Sequence, residues 1–230
     1  GRQFVDMTRN SVAMLGKPGI GAMIWVATLF ILGFTIMHSV FILYTEMDAA
    51  SGGLGFSEQD NGRMFAMIGL LGIFTQGALI GPLTRRFGTR RLIPMSILLT
   101  GLGLTLIPYT QASMAWLQLF FVVTCIAIGN GVFQPSTSTY LTRLARKDGY
   151  DLGVVMGAQE SLSAFARIFG PLGGGIVWEL TVGRGFPWDY HTVFHVCGLL
   201  MVISAVLTLR IPHLPDINEA ETMPSVTEMN

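Results

Sequence analysis

The sequence predicts an all-α integral membrane protein of six transmembrane helices, and three observations carry that expectation. Long stretches hold no Asp, Glu, Lys or Arg: residues 19–45, 64–84 and 92–142. A helix needs roughly 20 apolar residues to cross a hydrocarbon core of about 30 Å, so these stretches are long enough. Apolar residues make up 51% of the chain and charged residues 12%, against about 25% charged in soluble domains. The cations gather in alternate loops, as they do when a chain crosses a bilayer repeatedly.

The elements follow in order. Residues 1–19 are mixed and basic, without the apolar core of a signal peptide, and read as a loop entering the first helix. With Gly1 in place of Met, they suggest a fragment of a longer chain. The six-helix domain is expected over 20–211, with helices near 21–44, 60–80, 92–107, 115–141, 153–180 and 190–209. Ser51-Gly-Gly-Leu-Gly55 is a flexible turn before the acidic helix start Ser57-Glu-Gln-Asp60. Pro108-Tyr-Thr-Gln-Ala-Ser113 divides the longest uncharged run into two spans. Lys147-Asp-Gly-Tyr-Asp151 and Gly183-Arg-Gly-Phe-Pro187 mark the last two turns. Phe186, Trp188 and Tyr190 crowd the outer start of the last helix, where interfacial aromatics sit. The polar, acidic tail 212–230 is expected to be cytoplasmic and disordered.

Charge sets the orientation. Arg2, Arg9 and Lys17 precede the first span; Arg85, Arg86, Arg90 and Arg91 lie between the second and third. Arg143, Arg146 and Lys147 lie between the fourth and fifth, and Arg210 follows the sixth. The opposite loops carry Glu46, Asp48, Glu58 and Asp60, with Arg63 and Arg184 as their cations. Basic short loops stay cytoplasmic, so both termini are expected inside a cell (inner or plasma) membrane.

The helices differ in polarity. Besides apolar residues, the third holds only Ser, Thr and Gly, and the sixth is similar after His195. The first carries His38, the second Gln76, the fourth Asn130 and Gln134, and the fifth Gln159, Glu160 and Arg167. Polar groups at membrane depth face a bundle interior or a water-filled cavity. Helices one, two, four and five are therefore expected to line a polar path, and three and six to face lipid. The same order in both triplets suggests a three-plus-three internal repeat. Gly170-Pro171 is expected to kink or hinge the fifth helix, because proline removes a helical hydrogen bond. Spacings of four between Gly77 and Gly81, along Gly149, Gly153 and Gly157, and in the following Gly170-Pro-Leu-Gly-Gly-Gly175 suggest close helix approach.

At the loop between spans two and three, Gly81-Pro-Leu83-Thr-Arg85-Arg86-Phe-Gly88-Thr-Arg90-Arg91 resembles the G-x-L-x-D-R-x-G-R-R motif of the major facilitator superfamily. Gly81, Leu83, Arg86, Gly88 and Arg90 match; Arg85 stands at the acidic position. The fifth span, from Gly157 through Gln159, Ser161 and Arg167 to Gly170-Pro171-Leu-Gly173-Gly174, is similar to the penultimate helix of drug-proton antiporters of the tetracycline-efflux type. Gly129-Asn-Gly131-x3-Pro135 resembles the corresponding fourth span. The resemblance implies the C-terminal half, helices seven to twelve, of an alternating-access transporter. It implies a missing N-terminal six-helix half, proton-coupled efflux of a small organic molecule, and a cytoplasmic gate loop at Gly81–Arg90. Proton-coupled uptake of a nutrient is the second expectation; a membrane enzyme or non-transporting scaffold is a third.

The chemistry of single residues leaves alternatives. Glu160 and Arg167 are seven apart and share a helix face. They fit proton coupling with Arg167 tuning Glu160, or a structural ion pair. His38 fits a proton carrier or a packed neutral histidine. Gln76, Asn130, Gln134 and Gln159 fit substrate hydrogen bonds or interhelical ties. The arginine cluster fits anionic-lipid contact or simple topology setting. His191 and His195, four apart, lack an adjacent Glu or Cys partner and sit at a membrane boundary, so no metal is expected; with Asp189 they come nearest to the cluster that a membrane enzyme would need. Cys125 and Cys197 lie in apolar runs and read as small hydrophobes. No phosphate-binding glycine loop and no nucleophile–base set occurs, so neither an ATP-driven pump nor an enzyme with a cofactor is expected. Zero formal net charge suggests no nucleic-acid partner.

Overall fold

The computed structural model describes residues 13–185 and 188–214. Arg2, Arg9, Phe186 and the tail from 215 onward lie outside them. Six long helices account for nearly all of the rest: α1 (Ile20–Glu46), α2 (Glu58–Phe87), α3 (Thr89–Leu106), α4 (Ala115–Lys147), α5 (Leu152–Thr181) and α6 (His191–Leu207). No strand occurs among the described residues. Five of the six are long and apolar enough to cross a membrane. The other, α5, has the length, at 30 residues, but Glu160, Arg167, Glu179 and its glycines lower its hydropathy.

The helix starts have local causes. Ser57 accepts from the Asp60 backbone N–H at 3.3 Å, and the Asp60 carboxylate accepts from the Ser57 N–H at 3.1 Å, a capping box at the predicted acidic start. Asp151 caps α5 by accepting from the Val154 N–H at 3.1 Å. Several helices outrun their predicted ends. The fourth runs on to Lys147, and the second passes Pro82 to reach Phe87. Its middle contains a π turn at Thr75–Leu79. A π turn inserts one extra residue and rotates the following side chains around the axis.

Packing repeats in the two triplets. The first helix of each, α1 or α4, packs against the second and third of the other: α1 on α5 and α6, α4 on α2 and α3. The third helices, α3 and α6, pack on each other. Close approach uses some of the glycines that the spacing suggested, Gly170 and Gly174, and others that it did not. A Cβ on Gly129 would lie 2.2 Å from Thr100 Oγ1 and 2.7 Å from the Ser96 carbonyl, so α3 and α4 touch backbone to backbone there. Gly170 and Gly174 meet Thr35 and Ser39 of α1 in the same way. Gly77 and Gly157 have open space beside them.

The core is apolar and aromatic. Phe30 of α1 stacks on Phe133 of α4 with ring centroids 3.8 Å apart, and both are fully buried. The exposed residues along the middle of α3 (Met95, Leu98, Leu102) and α6 (Leu199, Val202, Val206) are apolar. In α2 and α5, by contrast, broad faces remain uncovered by the six helices.

Candidate functional site

The predicted polar residues fall into three places. Gln76 and Gln134 come together across α2 and α4. With Ile80, Pro135 and Ser138 they line an open groove of about 430 Å³. The helices touch just above it, where a Cβ on Gly131 would lie 2.9 Å from Thr75 Cγ2. Gln76 sits inside the π turn, so its position in the groove was not readable from α-helical periodicity.

Glu160 and Arg167 also come together, as a carboxylate–guanidinium ion pair along α5. The pair lies on a face of α5 that these six helices leave open: the side chains are 63% and 49% exposed. The reason is the opposite face of α5. Gln159, Ser163, Ala166 and Gly170 are buried, and Thr35 of α1 donates to the Ala166 carbonyl at 3.1 Å. Seating that small-residue face on α1 turns Glu160 and Arg167 outward.

Inside the bundle lie polar atoms without partners among the described residues: Asn130 Oδ1, Gln159 Oε1 and Ser163 Oγ. Each is a buried atom with hydrogen-bonding capacity, and leaving such an atom unmet costs about 1–3 kcal/mol. His38 is exposed on α1 between the rings of Phe34 (5.0 Å) and Phe65 (6.0 Å), and nothing among the described residues hydrogen-bonds it.

α5 stays helical through Gly170-Pro171. Gly170 is also a contact point with Thr35. In the loop region, Gly81 and Leu83 lie in the last turns of α2, followed by Arg85 and Arg86, both exposed. Gly88, with φ 73° and ψ 150°, turns the chain into α3. This conformation is essentially restricted to glycine. The turn delivers Arg90, whose Nη2 donates to the Ile211 carbonyl at 3.3 Å.

Sequence reasoning missed a network at the end of the bundle opposite the Gly81–Arg91 loop. Asn61, 5% exposed at the start of α2, accepts from the Thr45 hydroxyl at 2.7 Å and donates to the Glu46 carboxylate at 3.0 Å. It ties the end of α1 to the start of α2. The polar Asn in an otherwise acidic helix start was its only sequence signal. Nearby, Tyr109 and His195 are hydrogen-bonded at 3.0 Å, and His191 pairs with Asp189 at 2.9 Å. Burial beside the Asp189 charge raises the Tyr190 pKa above its ordinary value. Among the described residues no cluster of three or more His, Cys, Asp or Glu could hold a metal, and Cys125 and Cys197 are free.

Several known proteins have related sequences. The chain is 25% identical to Multidrug resistance protein 1 of Bacillus subtilis over 79% of its length and 44% of that protein's. It is 27% identical to a probable peptide/nitrate transporter of Arabidopsis thaliana, covering 90% of this chain and 45% of the relative. It is also 27% identical to the class H tetracycline resistance protein of Pasteurella multocida, covering 86% and 44%. The chain thus spans about half the length of these relatives. Among solved structures, a peptide transporter POT in complex with sulfate superposes with a TM-score of 0.62 at 19% identity, covering 93% of this chain and 44% of that one. The Major Facilitator Superfamily profile matches residues 15–225. With six long helices, repeated triplet packing and the Gly81–Arg91 loop, the chain is a multi-pass membrane protein that belongs to the Major Facilitator Superfamily, a family of transporters rather than enzymes.

Proposed function

We propose that the chain is half of a proton-coupled transporter that exports a small organic molecule by alternating access. The observation that carries this reading is the division of polarity over the uncovered surface. Every uncovered amide or charged side chain at membrane depth lies on α1, α2, α4 or α5, and α3 and α6 turn apolar faces outward. Uncovered polar side chains are costly in lipid, so these faces belong to a water-filled path or a second helical half. The Gln76–Gln134 groove supplies hydrogen-bond donors and acceptors to a solute. The Glu160–Arg167 pair supplies a carboxylate whose charge a proton can cancel. Protonation breaks the pair, and coupling follows if the two access states hold Glu160 differently.

The names of two relatives, one for multidrug and one for tetracycline resistance, favour export. The peptide/nitrate relative favours uptake with protons as a second reading. The two readings predict opposite directions. Inside-out vesicles carrying the full-length protein are given an acidic lumen, with tetracycline and an aromatic cationic dye as probes. Accumulation in the lumen supports antiport; proton-driven loss from the lumen supports symport. Glu160→Gln is expected to leave downhill movement intact and to abolish gradient-driven accumulation. A Glu160→Gln protein that concentrates probe like the wild type makes Glu160 a purely structural partner of Arg167.

A further inference from the structure

After α6 the chain does not leave the bundle. A 3-10 turn at Thr208–Arg210 ends the helix, and Ile211 is extended, with φ −78° and ψ 125°. Residues 211–214 then run across the cytoplasmic ends of three other helices. Successive carbonyls of an extended chain point to opposite sides, and here each meets a donor from a different helix. The Ile211 carbonyl accepts from Arg90 of α3, and the Pro212 carbonyl accepts from the hydroxyl of Tyr140 of α4. The Pro212 ring fills the space beside Gly19 at the start of α1. A Cβ there would lie 2.9 Å from two ring carbons, and Gly19 also has φ 84°. Ile211 and Leu214 are buried at 3% and 5% exposure, and Tyr140 at 1%. Two directed hydrogen bonds, one close backbone approach and two buried apolar side chains therefore act on one short segment.

We infer that residues 211–214 form a cytoplasmic strap, positioned by Tyr140 and Arg90, that binds the gate loop after α2 to the ends of α1 and α4. The inference rests on the transporter reading above. Alternating access by rigid-body rocking needs the cytoplasmic ends of a half to move together. Arg90 follows Gly88 by two residues, so the strap holds the loop at its turn. Without the Tyr140 hydroxyl, the strap loses one of the two described hydrogen bonds that tie it to α3 and α4, and the loop moves independently of α4. Both residues act through the strap and neither needs to touch substrate.

The test uses full-length protein in proteoliposomes, lacking Cys125 and Cys197 and carrying Leu214→Cys as a reporter. The reporter thiol is expected to be protected from an impermeant reagent applied to the cytoplasmic face. Tyr140→Phe is expected to speed its labelling and to lower turnover, each roughly fivefold, the factor that one hydrogen bond is worth. KM is expected to stay unchanged. Arg90→Leu is expected to behave alike, and the double variant to be no worse than the poorer single, because both act on one strap. Equal labelling with and without Tyr140→Phe overturns the strap, as do multiplying effects or a raised KM at constant turnover. Absence of transport by the wild type overturns the transporter reading alone, since labelling still reports whether the strap is held.

Discussion

Asn61 is the residue whose surroundings leave it least freedom. Its carbonyl takes the Thr45 hydroxyl proton and its amide NH₂ reaches Glu46, so the amide has one orientation that satisfies both. Asn61→Ala strips a buried network of its centre and is expected to lower stability by about 1–3 kcal/mol. Thermal unfolding in detergent measures this, and an unchanged melting temperature means the network adds nothing. Asn61→Asp is expected to be worse than Ala, because it sets a second carboxylate beside Glu46. Glu160 and Arg167 teach a related lesson. That they would pair was legible from a spacing of seven residues. That they would face away from α1 was not, because the direction depends on which side of α5 is small enough to seat against another helix.

The turn between α2 and α3 depends on one backbone angle. Gly88 has φ 73° with ψ 150°, where any side chain is strained by about 1–3 kcal/mol. Gly88→Leu is expected to slow turnover while probe affinity in detergent stays near that of the wild type. Lost affinity at unchanged turnover argues against a role in conformational exchange. Helix contacts depend on other glycines. Gly129→Ala forces a methyl against the Ser96 carbonyl and the Thr100 backbone nitrogen, which cannot swing aside as a side chain can. The expected cost is about 1–3 kcal/mol, the usual price of overpacking, read as lowered thermal stability. Equal stability there means α3 and α4 can part without loss. The π turn at Thr75–Leu79 belongs to this scale too. The sequence reading did not foresee it, because Gly77 read only as a small residue for close helix approach.

For the molecule as a whole, the charge pattern predicts one orientation. Arg184→Cys, in the turn between α5 and α6, is expected to react with an impermeant thiol reagent from outside intact cells. Lys147→Cys, between α4 and α5, is expected to react only after permeabilisation. The reverse pattern inverts the topology and moves the strap and gate loop to the outer side. Topology of this kind is legible because basic loops resist translocation, whatever the helices do afterwards. The uncovered faces of α2 and α5 are a property of the assembled bundle: each helix packs against one neighbouring triplet and leaves its far side free.

The sequence by itself determined that this is a six-helix membrane bundle, how its cations divide between the two sides, which four helices carry polar groups, and which superfamily its loop and fifth helix resemble. These depend on composition, run length and local spacing, which need no knowledge of what packs on what. Only the tertiary structure decided that Gln76 meets Gln134, that Glu160 and Arg167 lie on an uncovered face, that Asn61 ties α1 to α2, and that Arg90 and Tyr140 grip residues 211–214. Each pairs residues from different helices or chooses between faces of one helix. Such choices follow from the fit of side-chain volumes across contacts distant in sequence, set here by close approaches at Gly129, Gly131, Gly170 and Gly19.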